Sequence, residues 1–190
     1  LHALTERLKA ARDYAEAREA FLAHEAAYIH METQATLASV RHTIDTRDEF
    51  YDAEETFWNA ATPELDAFED AWKGTMLESP FRKEFAAEYG DLMFVNAEIA
   101  RKAFSPEIIP ESQQENDLSQ AYSKLIASAQ IPFEGGVYTI SQLSPFKNDP
   151  DDARRLAAWQ AEGAWYKEHQ AEFDDIYDKM VHLRDTMGKK

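Results

Sequence analysis

The side chains most suited to chemistry in this chain are its 6 histidines and 36 carboxylates. A zinc-hydrolase helix sets two histidines at i and i+4, with a glutamate after the first to act as base. The nearest approach is His24-Glu25-Ala26-Ala27-Tyr28, where Tyr28 stands in the second ligand position and His30 is turned off that face. His24 therefore reads as an ordinary exposed or half-buried histidine. A carboxylate-bridged di-metal bundle needs Glu-x-x-His, and no histidine here has a glutamate three residues before it. His182 has Asp178 and Asp185 one helical turn away on either side, which reads as a surface charge cluster rather than a metal site. There is no cysteine, no G-x-S-x-G elbow and no phosphate-binding glycine loop. The adjacent carboxylates Asp151-Asp152 and Asp174-Asp175 diverge on a helix and suit helix-end electrostatics and a solvated face. The four tryptophans, Trp58, Trp72, Trp159 and Trp165, sit at helical spacing and read as core. No catalytic, cofactor-binding or metal-ligating residue is expected in this chain, and no cofactor.

Composition narrows the partners. A formal net charge of −16 repels nucleic acid and anionic membrane, because affinity for phosphate comes from Lys and Arg. The acidity reads either as solubility or as a groove that favours cationic ligands. No apolar run is long enough to span a bilayer, and no charged-then-apolar leader opens the chain. Leu1 reads as a processing boundary. Without cysteine the chain suits the cytoplasm.

The elements that would carry these residues are almost all helices. The expected fold is mainly α: a multi-helix array with one small antiparallel β-hairpin at about Ile131–Ile140 and a long C-terminal helix at about Pro150–Met187. The spacing predicts helices over about Leu4–His24, Ala26–Thr43, Asp48–Ala61 and from Pro63 to near Gly74. Shorter ones follow at about Pro80–Tyr89, Asp91–Phe104 and Glu111–Ala129. Thr62-Pro63, Ser79-Pro80, Ser105-Pro106 and Asp149-Pro150 each put a capping residue before a proline, the pattern of a helix start. Gly135-Gly136 is expected to turn the hairpin. On the last helix, Leu156, Trp159, Gly163, Tyr166, Phe173, Tyr177, Met180 and Met187 recur at three and four and form the expected buried seam. Trp165, Ile176 and Leu183 widen it. Gly163 costs roughly 1 kcal/mol against Ala in a helix interior, so another helix is expected to approach it closely. The chain reads as one continuous helical unit over 1–190, with N-terminal helices over 1–110 followed by 111–187.

With these segments laid out, the chain resembles the N-terminal part of the oligoendopeptidase F family of zinc metallopeptidases (thimet-oligopeptidase-like), from about Tyr28 to the end. The segments include Asp45-Thr46, Phe50-Tyr51-Asp52-Ala53-Glu54 and Ser79-Pro80-Phe81-Arg82-Lys83-Glu84. A denser block is Phe104-Ser105-Pro106-Glu107-Ile108-Ile109-Pro110, Gln114-Glu115-Asn116 and Leu125-Ile126-Ala127-Ser128-Ala129. Phe133-Glu134-Gly135, Ser141-Gln142-Leu143 and Ile176-Tyr177-Asp178-Lys179-Met180-Val181 follow in order. The stretch over 111–187 resembles that family's separate N-terminal domain. The resemblance implies cytosolic enzymes that cut short peptides in a deep channel between two halves, with His-Glu-x-x-His and its zinc in the C-terminal half. It implies that this chain is catalytically silent alone and that zinc belongs to the missing half. The expected partners are that C-terminal half of the same polypeptide, oligopeptide substrates, and a second copy through an uncovered docking face. The alternative expectation is a free-standing acidic helical scaffold with no enzymatic role.

Overall fold

The computed structural model describes all residues, Leu1–Lys190, and backbone packing divides them into two compact units, Leu1–Gln113 with Lys190, and Gln114–Lys189. The expected fold class is the one observed: nine α-helices, one two-stranded antiparallel hairpin and a long helical C-terminus.

The first unit is built on α1 (His2–Lys9), α2 (Tyr14–Ile44), α3 (Glu49–Glu78), α4 (Arg82–Tyr89) and α5 (Leu92–Ala103). The expected single first helix is interrupted at Asp13, which caps α2 by accepting from the Glu16 N–H. The helix then runs unbroken through His24-Glu25. Asp48 caps α3 by accepting from the N–H groups of Phe50 and Tyr51. Arg41 clasps Glu54 across the α2–α3 turn with bonds of 2.8 and 2.9 Å. The predicted break at Thr62-Pro63 does not occur, because α3 continues through a buried Pro63. An interior proline costs about 3 kcal/mol in a free helix. Packing of α3 along α1, α2 and α5 outweighs that, and Gln113 Nε2 donates to the nearby Ala60 carbonyl at 2.7 Å. The core gathers Leu8, Ala17, Ala20, Phe21, Trp72, Met76, Phe85 and Phe94. It lies at one end of the α2–α3 pair. Further along that pair Ile29, Val40, Ile44, Phe50 and Phe57 stay exposed.

A turn capped by Ser105, as the Ser105-Pro106 pattern predicts, leads into α6 (Ile109–Ala127), which carries the chain from the first unit into the second. The hairpin pairs β1 (Ile131–Phe133) with β2 (Gly136–Tyr138), Phe133 opposite Gly136. The turn residues are therefore Glu134 (φ 47°) and Gly135 (φ 79°), one position earlier than expected. A non-glycine residue at positive φ costs about 1 kcal/mol. Arg154 holds Glu134 there by donating Nε and Nη2 to its carboxylate at 2.9 and 2.7 Å. Ile140, expected in the second strand, instead opens α7 (Ile140–Lys147), where Thr139 and Gln142 form a reciprocal cap. The long C-terminal helix arrives as α8 (Asp152–Glu168) and α9 (Gln170–Met187), joined at His169. Its cap is Asp151, two residues beyond the expected Asp149. Asp149 is occupied by the Asp151 N–H and by Arg154.

The buried stripe of α8 is Ala158, Glu162 and Trp165, not the predicted seam. Leu156 and Trp159 of that seam are 58% and 54% exposed. The second core is Ala129, Ile131, Phe133, Leu143, Ala158 and Trp165, so the sheet face of β1 rather than a helix seam decides which side of α8 turns inward. The expectation of a close neighbour at Gly163 also fails, since nothing lies within 4 Å of where its Cβ would be. Gly163→Ala is therefore expected to raise stability by about 1 kcal/mol, read as a higher urea midpoint at unchanged slope.

The Arg154 hub sets a pH dependence. Its hydrogen bonds hold the Glu134 carboxyl below the ordinary value, and the Asp151 N–H, then Arg154, do the same for Asp149. A depressed carboxyl contributes stability above its unfolded pKa and loses it as pH falls through the folded one. The stability gap between the parent and Arg154→Ala should be level near neutral pH and close below about pH 4. Urea midpoints taken across that range check it, and a gap that widens on acidification contradicts it.

Candidate functional site

Two regions hold the side chains with chemical potential. The first lies in the N-terminal unit. His24 is not the exposed or half-buried residue expected; it is 1% exposed, its ring lying flat on Trp72 at 3.8 Å and 2°. Its Nε2 sits 2.9 Å from Glu69 Oε1, but off the direction of a hydrogen bond, and its Nδ1 is 3.6 Å from Glu25. Tyr28, in the position of the absent second ligand, lies parallel to His24 with centroids 6.2 Å apart. Burial, then the charges of Glu32 and Glu69, push its phenol up to about 12. Partial desolvation raises Asp66 as well. Sequence reading missed Glu69 and Trp72 as partners of His24. They are brought together by helix packing across the α2–α3 pair, and no local spacing signals that.

The second region is the α6–α9 pair. Neither helix has a fully buried residue. They meet through an edge-on ring pair, Tyr122 and Phe173 at 5.7 Å, and through Arg184 Nε donating to Glu115 at 2.7 Å. A cleft opens on each flank. One of about 570 Å³ places Asp117 opposite Asp178 and His182. Asp185 is turned to Lys189 instead, so the cluster expected around His182 is rearranged. The other, about 510 Å³, is walled by Tyr122, Phe173, Ile176, Tyr177 and Met180. These clefts offer aromatic and aliphatic walls with carboxylates at the rim.

The donor set does not fit zinc. No group of three or more His, Asp or Glu side chains is placed to hold a metal ion, and the one helical near-miss has Tyr28 in place of a ligand and His24 pressed between Trp72 and Glu69. Of the tryptophans, Trp72 and Trp165 are core, whereas Trp159 is exposed with the Lys147 ammonium 4.7 Å over its ring. No helix is long and apolar enough to cross a membrane.

The peptidase M3 N-terminal domain family matches residues 1–104, taking in the segment upstream of Tyr28. A solved protein assigned as an oligoendopeptidase F superposes with a TM-score of 0.95 at 35% identity, over 99% of this chain and 33% of that one. PZ peptidase A with an inhibitor gives 0.95 at 34% identity, over 99% and 34%. A protein assigned as an oligoendopeptidase F from Bacillus anthracis str. Ames gives 0.95 at 32% identity, over 99% and 35%. The chain thus spans about a third of the length of the structures it matches. No curated protein matches it.

Proposed function

Because the chain belongs to the peptidase M3 N-terminal domain family, we propose that it is the non-catalytic N-terminal, substrate-channel domain of an oligoendopeptidase F-like zinc metalloendopeptidase that hydrolyses short peptides in the cytoplasm. The observation that carries this reading is the superposition of 99% of the chain on a third of proteins assigned as oligoendopeptidases. In this reading the zinc, its histidines and the glutamate base come from the C-terminal half of the same polypeptide, which is the chain's main partner. The stretch over 111–187 is then a domain in its own right, and the clefts flanking α6 and α9 contribute to the wall along which an extended oligopeptide lies. The exposed apolar residues of the α2–α3 pair, Ile29, Val40, Ile44, Phe50 and Phe57, are surface to be covered by the rest of the enzyme. If they stay uncovered, a homodimer through them is the expected result.

The test is turnover of an internally quenched oligopeptide by this chain with added zinc. No turnover is expected, with activity appearing only in a polypeptide that carries the downstream half. Chelator-sensitive cleavage by the 190-residue chain refutes the silent role. Reading the gene past Lys190 separates the alternatives: a downstream His-Glu-x-x-His supports the peptidase domain, and an immediate stop codon supports a free-standing scaffold.

A further inference from the structure

A third concavity, of about 250 Å³, opens in the N-terminal unit between α2, α3 and α5. Its walls are apolar, chiefly Trp72, Met76, Met93 and Phe94, and its polar groups are Glu25, Glu69, Lys73 and Asn96. The volume suits one amino-acid side chain rather than a whole ligand. Glu69 is 94% buried by its 6% exposure, and its Oε1 accepts no directed hydrogen bond. A carboxylate oxygen withdrawn from water without a well-directed donor is costly. His24 backs the pocket: its ring covers Trp72 and its Nε2 lies against that same oxygen. Two carboxylates face one ammonium on the lining, and the charge of Lys73 is shared with Asp66. A positive charge, a hydrogen-bond donor and an apolar stem would complement this lining.

We propose that this pocket receives the side chain of an arginine in a bound oligopeptide, with Glu69 taking the guanidinium and Trp72, Met76 and Met93 packing the stem. Arginine fits better than lysine because its planar group offers five donors in a fork, stacks on rings and is weakly hydrated. The parent molecule, an oligopeptide, rests on the peptide-handling role proposed above; the preference for arginine rests on the pocket.

The experiment is a titration of the whole chain, labelled at its tryptophan indole nitrogens, with N-acetyl-arginine amide and with N-acetyl-citrulline amide, the neutral isostere. The arginine amide is expected to shift the Trp72 indole signal saturably, at millimolar concentration. The citrulline compound, and Glu69→Gln with the arginine compound, should each bind roughly tenfold more weakly, as loss of a charged hydrogen bond implies. Ala100→Leu fills the pocket without changing its charge and should abolish the shift while leaving the circular dichroism intact, so the test survives if Glu69→Gln does not fold. An unmoved Trp72 signal, equal binding of both compounds, or an undiminished shift in Ala100→Leu overturns the assignment. None of those results bears on the downstream catalytic half, which turnover and the gene sequence decide separately.

Discussion

Phe85→Ala is expected to remove about 4 kcal/mol from the stability of the N-terminal unit. Phe85 is fully buried and is the one buried residue of α4. Its ring meets Tyr14 edge-on at 5.1 Å and lies 5.4 Å from Phe21. Truncation leaves a cavity lined by aromatic faces that rigid helices cannot close, so the cost is both transfer and lost dispersion. An eight-residue helix does not hold itself together in water, and α4 should lose its amide protection first. A urea titration with amide exchange over Arg82–Tyr89 reads both effects. A loss below about 1 kcal/mol would mean that α4 is not anchored by this ring.

The second large effect concerns the second unit. Lys147 and Glu162 form a close ion pair with side chains only 11% and 10% exposed, and the ammonium also lies over Trp159. Removing one partner strands the other charge away from water, so Glu162→Ala should cost about 3 kcal/mol. Replacing both, Lys147→Met with Glu162→Leu, should recover most of that, because a desolvated pair is worth little more than well-packed apolar groups of similar size. A double-mutant cycle on urea midpoints measures the coupling. A single variant as stable as the double one would show that water reaches the pair.

The sequence carries the fold class because helix starts and the hairpin are local chemistry. Ser105-Pro106 caps where its residue types predict, and Gly90 follows α4 with φ 90°. What it misses is set at a distance. Thr62-Pro63 has every mark of a break, yet α3, packed along three neighbouring helices, continues through it. Asp149 looks like the cap of α8, but Arg154 and the Asp151 N–H claim it first. The inward face of α8 is chosen by β1 and α7, which places Glu162 inside and Leu156 outside against the apolar periodicity. The same limit applies to the candidate sites. Absence of a zinc motif is legible in spacing alone. The joining of His24, Trp72 and Glu69 is legible only once α2 and α3 are packed side by side.

The junction of α6 and α9, held by an edge-on ring pair and a guanidinium bond with no fully buried residue on either helix, has a kinetic meaning. Little energy separates the joined from the parted arrangement, so this pair belongs to the easily opened part of the molecule. Deuterium should enter its amides well before those of the hairpin, and a nicking protease should find its first foothold there.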